Sequence, residues 1–189
     1  MSIRKLLYSV PAVLLLAANV ISQNSDAKMP RPLVVDSAKI QPTTTFTTQS
    51  MKFIASSADT GGVTTVFESS EMPGYKTTWH RHDNAEESFY VLAGVLTVKF
   101  AHETHSLGPG SFVLIPRGTP HAQGNLTDTP ARFITTVAPG GIEEFFRDRS
   151  ELLKAIKPGD PDYDARYRVI LEKHKDRIAI IGPWDMKNP

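Results

Sequence analysis

The sequence predicts an all-β fold, a barrel or sandwich of short strands followed by a helical extension. Three observations lead there. From Met51 onward, apolar runs of four to seven residues alternate with turn residues. Fourteen prolines and twelve glycines supply those turns. After Pro139 the apolar period changes from that of a strand to that of a helix.

The first residues read as an export signal. Arg4 and Lys5 precede a largely apolar run over 6–16, and small and polar residues follow. This is the pattern of a secretory signal peptide over residues 1–27, with cleavage after Ser22 or Ala27. Ser9 and Pro11 interrupt the short run, which argues against a permanent membrane helix. The mature chain is therefore expected to be exported, periplasmic or secreted, with no stable membrane anchor. Residues 28–50 are rich in Ser, Thr, Gln and Pro. They read as a linker and N-terminal arm with room for an edge strand.

The barrel is expected over 51–138. Candidate strands are 52–55, 63–69, 77–82, 87–93, 95–100, 104–107, 111–115, 121–125 and 132–137, separated by Gly61-Gly62, Pro73-Gly74, Asp83-Asn84, Gly108-Pro109-Gly110 and similar turns. Many short strands at regular spacing exclude a parallel α/β sheet. Over 139–189, Ile142, Phe145, Phe146, Leu152, Leu153 and Ile156 form one helical stripe, ended by Lys157-Pro158-Gly159. A second helix is expected near Asp160, with Pro161 at its first position. Roughly fifty residues cannot bury a core of their own, so this extension is expected to pack on the barrel.

Composition excludes several functions. The net charge is +1, and no basic cluster is interleaved with aromatic residues, so no nucleic acid partner is expected. With no cysteine there are no disulfides, no thiolate metal site and no cysteine nucleophile. Any metal must be held by nitrogen and oxygen.

Such ligands are present. His80 and His82 are two apart on a predicted strand, so both point to the same face. After a turn, Glu87, Phe89 and Val91 share one face of the next strand. Glu86 has the opposite parity and is expected in solvent. His121 arrives from a distant segment just after a Pro116–Gly118 turn. Three imidazoles and a carboxylate suit one divalent transition metal: Fe, Mn, Ni, Cu, Co or Zn. Gln123 and Asn125 alternate in phase with His121 and are candidates for the substrate pocket. Phe89 and Phe112 are candidates for its apolar lining or for core packing. His102 and His105 are expected on an exposed hairpin, and His174 on a solvated helix face.

These residues fall in two motifs. The first is Gly74, five residues, His80-x-His82, four residues, Glu87, six residues, Gly94. The second is Gly110, five residues, Pro116-x-Gly118, two residues, His121, three residues, Asn125. In both, the chain resembles the cupin family, over roughly 52–138. The resemblance implies a small jelly-roll β-barrel with a metal near its mouth, held by His80, His82, Glu87 and His121. The stretch from Glu86 to Gly94 and the tail opening at Pro139-Gly140-Gly141 look like those of quercetinase-like cupin dioxygenases. That likeness implies a metal-dependent oxygenase acting on a flavonol, phenolic or other enolisable small molecule, with Glu87 as base. A non-redox lyase or isomerase and a non-catalytic small-ligand carrier are the alternatives. Barrels of this family often dimerise, so a homodimer is a further expectation.

Overall fold

The structure, a computed structural model, describes residues 32–46 and 48–187. The expected signal peptide lies outside the described residues. Eleven strands are formed among them: β1 (Thr43–Phe46), β2 (Gln49–Ala55), β3 (Thr65–Glu71), β4 (Trp79–Arg81), β5 (Glu86–Ala93), β6 (Leu96–Phe100), β7 (Glu103–Leu107), β8 (Phe112–Ile115), β9 (Ala122–Gly124), β10 (Ala131–Ala138) and β11 (Ala179–Gly182). Three α-helices accompany them: α1 (Ser57–Thr60), α2 (Glu143–Ala155) and α3 (Tyr163–Lys173).

The strands make a jelly roll. One antiparallel sheet runs β1-β2-β3-β10-β5-β8, a second runs β7-β6-β9, and β4 pairs with β11. Alternation along β5 sets the inside: Glu87, Phe89 and Val91 are buried, while Glu86, Tyr90 and Leu92 face out. Phe89, Val91, Ile115 and Phe133 from the large sheet meet Leu96 and Val98 from the small one. Phe89 and Phe133 stack edge to face at 5.4 Å. Each such buried side chain stabilises the fold by about 1.5–3 kcal/mol. Gly94 turns β5 into β6 at φ 71°, where a side chain would run into the Pro130 carbonyl.

The extension closes one end. Ile142, Phe145 and Ile178 bury against Met51, Phe67, Ala85 and Val137. Glu143 ties the start of α2 to the barrel. Its carboxylate accepts hydrogen bonds from the Ser57 amide (2.6 Å), the Gly141 amide (3.0 Å) and the Thr65 hydroxyl. Three features differ from expectation. Pro161 precedes α3 rather than starting it, because Asp160 closes a tight turn back onto Lys157. Residues 179–182, beyond the two predicted helices, form strand β11, paired with β4. His174 is buried, not solvated: it caps α3, packs edge-on against Phe145 and contacts Asp148 at 2.7 Å.

Candidate metal centre

Local backbone pairing brings the ligands together. His80 on β4 and His121 just before β9 exchange two backbone hydrogen bonds of 2.9 Å each. Residues paired this way project to the same side, and their rings lie 4.2 Å apart. His82 follows two residues after His80, held where the Gly118 amide donates to its carbonyl at 2.9 Å. Glu87 enters from β5, in register with Ile115 on one side and Val137 on the other. One ligand atom from each of the four residues lies within 4.8 Å of all the others. All four side chains are buried.

The outer ring nitrogens are all engaged. Nδ1 of His80 meets the Thr78 carbonyl at 2.9 Å, Nδ1 of His82 meets that of Arg177 at 2.6 Å, and Nδ1 of His121 meets that of Thr119 at 2.9 Å. A carbonyl only accepts, so each Nδ1 carries its hydrogen and each neutral ring leaves its lone pair on Nε2. Glu87 Oε2 lies 3.0 Å from Nε2 of His121 and 3.3 Å from Nε2 of His82. Lone pairs facing a carboxylate repel unless positive charge sits among them. A protonated histidine or a metal cation would supply it. Three nitrogens and one oxygen, with their second partners fixed, fit a divalent transition metal.

The electrostatics follow from this crowding. Burial, with His121 and His82 nearby, pushes His80 well below the usual histidine range. Burial would depress His82 too, but adjacent Glu87 reverses the sign and raises it. Burial alone would raise Glu87, yet the charge of His82 and hydrogen bonds from His121 and His82 hold it well below the usual carboxylate range. The cluster therefore favours an ionised Glu87 facing positive charge.

The other candidate residues divide. Gln123 is buried and lines a cavity of about 130 Å³ that also reaches His80; its side-chain oxygen accepts from the Thr77 hydroxyl at 3.3 Å. Asn125 does not line that cavity. Its amide nitrogen donates to the carbonyls of Glu71 and Thr129, and its oxygen accepts from Thr127, so its whole capacity holds a turn. Phe89 is core, not pocket. Phe112 is not core and lies away from this cavity: it pairs with outward-facing Tyr90, is 61% exposed and lines a separate surface groove with Leu107 and Pro116. His102 and His105 are exposed, as is Glu86.

Sequence reasoning missed the far wall of the cavity, formed by Gln49, Tyr75, Phe146, Arg149 and Tyr167. One signal for Arg149 was available. It sits four residues after Phe145 and three before Leu152, a lone cation on the buried stripe of α2. Glu71, Gln49, Tyr75 and Thr45 also form a buried polar chain. Tyr75 and Thr45 donate to the Gln49 side-chain oxygen at 3.0 and 2.8 Å, and the Gln49 amide donates to Glu71 at 3.2 Å.

Together the jelly roll and the buried His/Glu cluster define a barrel of cupin type with a cluster suited to binding a metal. Residues 68–141 match the family model for the cupin domain. Quercetin 2,3-dioxygenase of Bacillus subtilis (strain 168) is 29% identical over 96 residues, which is 51% of this chain and 28% of that protein. Protein SchB of Streptomyces halstedii is 34% identical over 67 residues, 35% of this chain and 49% of that one. The chain thus spans about a quarter to a half of these curated relatives. Among solved structures, KdgF from Halomonas sp. superposes with a TM-score of 0.54 at 18% identity, covering 60% of this chain and 98% of the other. A predicted oxalate decarboxylase from Thermotoga maritima gives 0.54 at 18%, covering 57% and 99%. Likeness at that identity speaks for the fold alone.

Proposed function

We propose that this chain is an exported, metal-dependent cupin oxygenase of the dioxygenase type, acting on a flavonol, phenolic or other enolisable small molecule. The observation that carries the reading is the placement of Glu87. Its carboxylate faces two imidazole Nε2 atoms whose rings are locked by backbone carbonyls. The sequence likeness to a quercetin 2,3-dioxygenase over 96 residues is consistent with it. Export rests on the pattern of residues 1–27.

A bound divalent metal would supply Lewis acidity and, where redox-active, a path for electrons between substrate and dioxygen. The chain's own residues do the rest. His80, His82 and His121 would hold the metal, with His80 bordering the cavity. Glu87 accepts the proton of a substrate hydroxyl, a task for a carboxylate within hydrogen-bond reach. Gln123, at the same end of the cavity as His80, orients the polar end of the ligand. The apolar layer of Phe89, Val98 and Ile115 beneath the site keeps water out of the barrel. On the outer face, Tyr90, Leu92, Phe112 and Leu114 form an exposed apolar row, which supports pairing with a second copy.

The test is oxygen uptake by the purified chain loaded separately with iron, manganese, nickel, copper, cobalt and zinc. A panel of phenols, flavonols and enolisable acids is the substrate set. Uptake matched to product with a redox metal, reduced about a hundredfold or more in Glu87→Gln, is the expected result. Turnover without oxygen would replace the oxygenase reading with a lyase or isomerase.

A further inference from the structure

We propose that the cavity beside the metal centre binds a small carboxylate no larger than a single six-membered ring, and that Arg149 is its counter-ion. The proposal rests on the reading above only in placing the ligand's other end at the metal.

Arg149 is a buried cation, 8% exposed, supplied by α2. Among the described residues no carboxylate pairs with it, and its Nε has no hydrogen-bond partner. Isolated buried charges are costly, so such a group normally has an anion beside it. The guanidinium instead lies against two aromatic rings: its central carbon is 3.0 Å from the ring centre of Phe46 and 4.9 Å from that of Tyr167. Stacking engages the faces of the planar group, Tyr163 hydrogen-bonds part of its edge, and Nε is left for another acceptor. A carboxylate is the planar anion that matches such an edge with two parallel hydrogen bonds.

Arg149 and His80 line one and the same cavity, so a ligand held by one is within the space of the other. The neighbouring polar groups engage the cation without balancing its charge: Tyr163 hydrogen-bonds it through a neutral hydroxyl. Tyr75 donates its hydroxyl to Gln49, and burial keeps that hydroxyl neutral, so it supplies no counter-charge. Glu71 is the nearest buried acid in the polar chain behind Tyr75, and its Oε1 already takes the Gln49 amide. Burial pushes Glu71 up to about 8, so it is largely neutral at pH 7.

Size narrows the ligand further. An apolar cavity of about 150 Å³ accommodates benzene. At about 130 Å³, this one has room for one ring or a short-chain acid, and a three-ring flavonol exceeds it. Within the proposed substrate range, a small enolisable or phenolic acid is therefore the class selected.

The test is calorimetric titration of the purified, zinc-loaded chain with benzoate and with benzamide, which matches it in shape but carries no charge. Metal per chain is measured on the same samples. Benzoate should bind at least about tenfold more tightly than benzamide. Arg149→Gln should abolish that preference at unchanged metal content and unchanged circular dichroism, and Arg149→Lys should keep part of it. Equal affinities in the unaltered chain, no benzoate binding, or a preference that survives Arg149→Gln would overturn the proposal. The unaltered chain decides the matter even if Arg149→Gln fails to fold. A chain that takes up no metal yet prefers benzoate would remove the metal reading and leave the anion site standing.

Discussion

The Nδ1 of His82 donates to the main-chain carbonyl of Arg177, ninety-five positions away, at 2.6 Å. A ring of the buried His/Glu cluster is thus oriented by the C-terminal extension. Strand β11 reinforces the link by pairing Ile180 with His80. Beyond it, the Trp184 carbonyl accepts hydrogen bonds from Trp79 and Lys99. The extension is therefore part of the site's support.

Ending the chain after Asp176 removes both the Arg177 carbonyl and β11, and should accordingly loosen the site without emptying the barrel. Loss of a partner that orients a ligand typically lowers metal affinity about 10- to 100-fold. Competition with a chromogenic chelator measures this directly. Unchanged affinity in the shortened chain would remove the extension from the site.

Glu143 should matter for stability. It is buried, and burial alone would raise it, but hydrogen bonds from Thr65, Ser57 and Gly141 outweigh burial and lower it. Glu143→Ala leaves those donors unpaired and should cost about 2–4 kcal/mol. Urea unfolding checks the value. Because the folded state depresses this carboxyl, its contribution is present above the unfolded carboxylate value and is lost as pH falls. The gap between wild type and variant should shrink in acid.

The strand pattern, the inward parity of Glu87 against Glu86 and the meeting of two distant motifs were legible because a strand's period of two is local and strict. What was not legible depends on partners remote in sequence. Strand β11 exists because β4 offers an edge, and nothing within residues 179–182 announces that. Asn125 has the inward phase expected of a pocket residue, but Glu71, Thr129 and Thr127 claim its amide. Phe112 is apolar yet outward, since strand parity overrides hydrophobicity at an edge. His174 reads as polar helix surface until α2 brings Asp148 and Phe145 against it. Arg149 belongs to the same class: its burial against Phe46 and Tyr167 appears only when α2 packs against β1 and α3.

Glu71 should give the protein an opposite pH dependence to Glu143. Burial lifts its folded value from 4.5 to about 8, against the hydrogen bonds of Gln49 and Gln123. Between those values the folded state holds a proton that the unfolded chain releases. Its contribution is thus greatest below about pH 4.5 and is lost as pH rises toward 8. Glu71→Gln keeps a neutral hydrogen-bonding group and removes the titration. The variant's melting temperature should fall less than the wild type's between pH 5 and pH 8, by an amount of order a few kcal/mol in stability. Parallel curves would mean that Glu71 is ionised in the folded state.

The most direct test of the metal centre is elemental mass spectrometry on the purified protein and on His121→Ala, prepared side by side. Close to one divalent transition metal per chain is expected in the unaltered protein, with about a tenfold or greater loss in the variant and its barrel still folded. Full metal retained by His121→Ala, or none taken up by the unaltered protein, would contradict the assignment of His80, His82, Glu87 and His121 as ligands.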